Sequence, residues 1–446
     1  MSHPHVAVIG MGPIGIDMAI NLLHNNYNVT IIEKGDDFGD NMSKWKDVVL
    51  FSPNALNMSI AGIKVLQSLN INLPDADAYP TCGEFMEGYL KHLSSYLVNS
   101  SNCEVLFSTE VVSVSRTNLS KGSSIGRHPK RVSAKFNVLV STSNTSSMSS
   151  SAISVLGFSD GDERSLIFDS GCYGNPNFMG PGGMPAMGER QLRKSKDICY
   201  YIPSFYDTAA LSRLKDRPWR YCVIGCGTSA ITSIKRLLDR NAQIDNEIDI
   251  VWVTRCPEDT LPFTRIENDP LPQRDELFQL GNELCRDNRV AYYCNVNVSQ
   301  VAIRSQNETE TETNTGGDMC DSNDDFRVKL VLENRDSGEL TTIGVDAVIA
   351  NVGYRPDYSF IQELQVHTCY ATEGPMKLAA ALLSQGGSSG DCLAQVLPGE
   401  ETLSNPEPRF FIVGLKSYGR GSAFLLRIGY EQVQHVLNLM NTEQWR

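Results

Sequence analysis

No CxxC pair occurs in this chain, although it carries twelve cysteines in 446 residues. The usual local dithiol of redox proteins is therefore missing. No run of 18 or more apolar residues is present, so no membrane-spanning helix is expected. The opening, MSHPHVAVIG, lacks a basic stretch followed by an apolar one. A secretory signal is not expected, and reduced thiols in a cytoplasmic protein follow. The seven histidines show no ligand spacing, so no metal is expected. Basic charge is also short, with 39 Lys and Arg against 52 Asp and Glu, a net of −13. Nothing here has the footprint of a nucleic-acid binder.

Much of the acidity lies in one place. Residues 306–325 hold seven acidic residues and no Lys or Arg, and without them the net falls to −6. This tract reads as a disordered insertion. A second low-complexity stretch, STSNTSSMSSS (141–151), reads as a loop tip. A length of 446 residues predicts two or three domains.

Two glycine motifs organise the rest. The first, VAVIGMGPIGIDMAINLL, reads as strand, turn and helix, with Gly10-Met-Gly12-Pro13-Ile14-Gly15 at its centre. In this pattern the first glycine makes the tight turn. The second lets the backbone approach a pyrophosphate, and the third lets helix and strand pack closely. The anion then sits at the helix N-terminus. Glu33 follows 18 residues after Gly15, beside Lys34, at the end of the next predicted strand. A carboxylate there accepts from ribose hydroxyls and repels a 2′-phosphate.

The second motif, YCVIGCGTSAITSIKRLL, carries Gly225-Cys-Gly227-Thr228-Ser229-Ala230, with Ala in the third place. Its next strand, IDIVWVTR, ends on Thr254 and Arg255 with no carboxylate. A cation there suits a 2′-phosphate, so this site is expected to prefer NADPH over NADH. Two sites with opposite charge preferences imply two dinucleotides, and a flavin that takes hydride from NADPH is the economical pairing.

With these motifs the chain resembles the flavoproteins with two dinucleotide-binding domains, related to the thioredoxin-reductase-like superfamily, over nearly its full length. The fold implied is α/β, with two Rossmann-like three-layer domains and the NADPH domain inserted into the FAD domain. The expected borders are 1–195 and 345–446 for FAD and 196–344 for NAD(P)H. VDAVIANVGYRPD, containing Gly353, is similar to the strand and turn that return the chain to the FAD domain. GLKSYGRGSAFLLRIGYEQV, opening on Gly414, is similar to the loop and closing helix that cover the flavin.

Within the group, the missing CxxC and the Ile14 of the first loop favour the flavin-containing monooxygenase-like branch. KWKDVVLFSPNALNMS…AYPTCGEFMEGYL resembles its layout, with Trp45 near the flavin, Asn54 as the catalytic amide (Asn57 is its rival) and a Tyr79-Pro80 turn. The resemblance implies oxygenation of a small nitrogen or sulfur nucleophile through a flavin C4a-hydroperoxide, with FAD, NADPH and O₂. The alternative is an NADPH-dependent flavoprotein reductase of a small disulfide, quinone or other acceptor. A non-catalytic dinucleotide sensor is the third reading.

Overall fold

The computed structural model describes residues 4–143, 151–158, 166–170, 174–204, 217–244, 248–304, 326–385, 393 and 395–441. The acidic tract 306–325 lies outside them, as do residues 144–150 of the Ser-rich stretch, whose flanks are strands Phe136–Ser143 and Ser151–Phe158. The chain forms two compact units. Unit 1 comprises Met1–Asn175 and Tyr354–Arg446, and unit 2 comprises Pro176–Gly353.

Unit 1 is built on a five-stranded parallel sheet in the order Phe410–Ile412, Leu166–Asp169, His5–Ile9, Asn28–Ile32, Cys103–Leu106. His5–Ile9 and Asn28–Ile32 are buried along four of their five residues, as expected of parallel strands covered on both faces. One cover is an antiparallel sheet of Thr109–Arg116, Phe136–Ser143 and Ser151–Phe158. Its Val114, Phe136, Val138 and Val140 share a core with Ala7, Ile9, Ile32, Phe410 and Ile412. Helices Pro13–His24 and Leu426–Asn441 pack together in the same unit. The helix expected after Pro80 starts with a Thr81–Glu84 capping box and buries Phe85, Tyr89 and Leu93. Glu407, fully buried, joins the C-terminal part of the unit to Arg116 and Arg131 at 2.8 and 2.7 Å.

Unit 2 repeats the plan. Its parallel sheet runs Ala291–Tyr293, Ile248–Val253, Trp219–Ile224, Ala347–Ala350, Ile198–Cys199, and its antiparallel sheet joins Val296–Ile303, Val328–Asn334 and Leu340–Val345.

The borders expected at 195/196 and 344/345 both fall inside unit 2. Two long-range pairings are the reason. Met187 bridges Gln300, and Ala347–Ala350 pairs in register with Tyr221–Ile224. The strand read as the start of the returning FAD domain is thus a central strand of the second sheet. No helix among the described residues is long and apolar enough to cross a membrane.

Candidate functional site

In unit 1 the strand His5–Ile9 ends on Gly10, whose φ of +93° is a conformation that favours glycine. A Cβ on Gly15 would lie far inside contact with the Gly10 carbonyl oxygen, so the helix can start this close to the turn only with glycine there. A Cβ on Gly12 would meet nothing within 4 Å. The helix Pro13–His24 begins with Pro13 in its first turn and has no side-chain cap on its free N–H groups. These features open onto a cleft of about 390 Å³, whose wall includes Gly10, Gly12, Pro13, Ile14, Glu33, Lys34 and Trp45.

Glu33 is buried and fixed from two sides. Met11 N–H donates to its Oε2 at 2.6 Å, and Gly35 N–H to its Oε1 at 2.7 Å. Lys34 is exposed and pairs with Glu110 at 2.5 Å. The far wall brings in Gly414's neighbours Leu415 and Lys416, with Phe424, Leu425 and Leu426 from the start of the closing helix. Gly414 itself donates its N–H to Gln432 Oε1 at 2.8 Å and approaches Ile14.

The two candidate amides separate. Asn54 is off the cleft wall; its Nδ2 donates to the Asp75 carbonyl at 2.8 Å and its Oδ1 is buried without a partner among the described residues. Asn57 is on the wall with Ser52. Ser52 Oγ donates to Asn57 Oδ1 at 2.7 Å, Asn57 Nδ2 returns a bond to the Ser52 carbonyl at 2.9 Å, and Tyr430 OH donates to the Asn57 carbonyl at 2.7 Å. The sequence left Asp169 and Lys416 unassigned as a pair, yet they form a buried ion pair on the same wall. Asp169 closes an apolar strand, as Glu33 follows one, and that position was the available signal.

The second motif takes the same shape within unit 2. Gly225 has φ +129° and lies so close to the Asn351 carbonyl that a Cβ would collide with it. Gly227 is open, and the helix Thr228–Gln243 again starts without a side-chain cap. Ser229 is exposed at its first turn and Ala230 is buried against the core. Trp252 Nε1 donates to the Gly225 carbonyl at 2.8 Å, and Ser233 Oγ to Asn351 Oδ1 at 2.7 Å. Gly353 ends the unit, its carbonyl accepting from Asn177 N–H at 2.9 Å. Arg255 is exposed, and no carboxylate pairs with it among the described residues. Burial pushes the Cys226 thiol up, and the nearby Arg255 charge pulls it down.

Residues 5–45 match the family described as pyridine nucleotide-disulphide oxidoreductase. No curated protein matches the sequence. Among solved structures the chain is similar to the bacillithiol disulfide reductase of Bacillus cereus, at 16% identity and TM-score 0.62 over 98% of both chains. It is also similar to the ornithine N-hydroxylase of Kutzneria sp. 744, at 14% identity and TM-score 0.55 over 99% of both chains. Thioredoxin reductase of Lactococcus lactis follows at 12% identity and TM-score 0.51, over 98% of this chain and 97% of that one. Residues 5–45 thus match that family's model, and the chain as a whole shares its fold with these reductases and this hydroxylase.

Proposed function

We propose that the chain is an FAD- and NADPH-dependent oxidoreductase, with FAD in the unit 1 cleft and NADPH on the second glycine turn. The cleft passes the test of fit on its own atoms: an open Gly12, an uncapped helix start and a fixed carboxylate at the end of the second strand. The N–H groups at the start of Pro13–His24 hold the pyrophosphate, and Glu33 orients a ribose. Trp45, Leu50, Phe51 and Leu425 form the apolar wall that excludes water. In unit 2, Thr228 and Ser229 lie at the phosphate end and Arg255 takes the 2′-phosphate. When bound, the two cofactors supply hydride and oxygen chemistry that no side chain of this chain can provide.

The finer reading is a monooxygenase acting on a small nitrogen or sulfur nucleophile. One observation carries it: among the described residues no cysteine lines the cleft, and Ile14 occupies the loop position where a thiol would act. Asn57, locked to Ser52, offers a neutral amide that positions a substrate or cofactor group without donating an acid proton. Cys172 lies outside the described residues, so the test includes it.

The purified chain is reduced anaerobically with NADPH, mixed with oxygen, and followed by visible absorbance and oxygen uptake. A long-lived oxygen-dependent spectrum that candidate amines or thioethers discharge supports the monooxygenase. Immediate reoxidation, with NADPH consumption driven by small disulfides and abolished by Cys172→Ser, replaces it with the reductase. No flavin bleaching by NADPH removes both.

A further inference from the structure

Lys416 and Asp169 form an ion pair with both side chains about 1% exposed, and both line the unit 1 cleft. The pair spans the ends of neighbouring strands. Asp169 closes Leu166–Asp169 and is in register with Ile412 of Phe410–Ile412, four residues before Lys416. The ammonium also lies 4.4 Å from the centre of the Phe360 ring and 5.3 Å from that of Tyr358. Taking two charges out of water is costly, and well-packed apolar residues often stabilise a fold as well or better. A buried ion pair on a ligand wall therefore asks for a reason beyond stability.

The charge of the cleft supplies one. Five carboxylates line it, against two lysines, Lys34 and Lys416. Lys34 is exposed and already paired with Glu110, where water and salt weaken its field. Lys416 is the buried one of the two lysines on this wall. A dinucleotide arriving there brings a negatively charged pyrophosphate.

Resting on the reading of this cleft as a flavin nucleotide site, the geometry points to Lys416 as the cation that offsets the anionic part of the nucleotide, with Asp169 as the counter-ion that opposes it. Lys416 is thus a positioning residue that determines affinity. Asp169 keeps its charge compensated when no nucleotide is bound, and lowers nucleotide affinity by doing so.

The test is a titration of the full-length chain, stripped of flavin, with FAD. Wild type comes first: if it takes up no FAD, the cofactor assignment itself fails, whatever the pair does. Given wild-type binding, Lys416→Met is expected to raise the Kd for FAD by at least about tenfold, the worth of one charge-assisted contact. Lys416→Arg, which keeps the charge, stays within about threefold of wild type. Asp169→Asn is expected to act in the opposite sense. It lowers the Tm of the flavin-free protein, because a buried cation loses its partner, yet its Kd for FAD is equal to or below that of wild type, and FAD raises its Tm by more than it raises that of wild type. A pair that serves only the fold would weaken FAD binding in both variants alike, and that result overturns the proposal. Should Lys416→Met not fold, Asp169→Asn decides alone: weakened FAD binding overturns the inference, and tighter or unchanged binding with a less stable flavin-free state supports it.

Discussion

The backbone N–H of Met11 donates to Oε2 of Glu33 at 2.6 Å, so the glycine loop and the end of the second strand are held as one piece. Gly35 N–H occupies the other oxygen at 2.7 Å. Glu33→Ala leaves both donors unpaired in a buried place, at about 1–3 kcal/mol each. The expected outcome is a lower Tm together with a flavin-to-protein ratio well below wild type. Glu33→Gln, which keeps one acceptor oxygen, is expected to retain the fold and lose affinity. Thermal melts and visible absorbance of the purified variants check this.

Gly12 and Gly15 separate binding from folding. Gly12→Ala places its methyl in open space at the cleft, so the fold is kept and the approach of a phosphate is blocked. Gly15→Ala drives its methyl into the Gly10 carbonyl and is expected to lower stability by several kcal/mol, as overpacking and strain do. Circular dichroism melts alongside flavin retention distinguish the two. A Gly12→Ala protein that binds flavin as wild type does would remove the phosphate from this turn.

Thr254 stands in unit 2 where Glu33 stands in unit 1. Ile9 is in register with Ile32 just before Glu33, and Ile224 with Val253 just before Thr254. Arg255→Gln is expected to lower kcat/KM for NADPH by about tenfold to a hundredfold, the worth of a charge-assisted contact, and to leave NADH within about threefold. Adding Thr254→Glu should bring NADH above NADPH. Initial rates with both cofactors measure it.

Asp17 gives the protein a pH dependence of its own. It is buried inside the helix Pro13–His24, its Oδ1 has no partner among the described residues, and burial raises its pKa from 3.8 to about 7 against a smaller opposing effect of Ser59. The folded state therefore binds the proton more tightly than the unfolded state. This contribution is fully present below about pH 4 and is lost as pH rises toward 7, amounting to about 4 kcal/mol at most. Asp17→Asn is expected to flatten that stretch of the profile and to be more stable than wild type at about pH 8. Urea unfolding at a series of pH values tests both signs.

Asn57→Ala is expected to lower kcat/KM by at least about tenfold, since it removes a fixed polar group from the cleft wall. Asn54→Ala loses one hydrogen bond to Asp75, costing about 1 kcal/mol of stability with activity kept. Steady-state rates beside denaturation midpoints separate the two amides. Activity lost with Asn54→Ala and kept with Asn57→Ala would reverse the assignment.

What could be read from the sequence was whatever local backbone chemistry dictates. Gly10, Gly12 and Gly15 are spaced by the demands of one turn and one helix start, and Glu33 lies at the end of the next strand, so both could be placed without a structure. The choice between Asn54 and Asn57 could not. They open and close a single turn of helix, Asn54–Asn57, and only Ser52, Asp75 and Tyr430 decide which one meets the cleft. Lys416 and Asp169 are 247 residues apart, and no local pattern announces that they meet. GLKSYGRGSAFLLRIGYEQV read only as a loop and a closing helix, with no partner assigned to its lysine. The division of the units at 175/176 and 353/354 was not legible for the same reason, because Ala347–Ala350 owes its place to Tyr221–Ile224 and not to its neighbours in sequence.

Unit 1 is written in two pieces with all of unit 2 between them. During synthesis, residues 176–353 leave the ribosome while Leu166–Asp169 still lacks its edge partner Phe410–Ile412. Arg116 and Arg131 meanwhile wait for Glu407. The cleft gains its last wall only when Leu415 to Leu426 have emerged. The inserted unit is therefore complete first, and the N-terminal glycine turn stays an open half-site for most of translation. On the proposed reading of the cleft, flavin capture follows synthesis of the C-terminal piece, and until then the first parallel sheet has an open edge beside Leu166–Asp169.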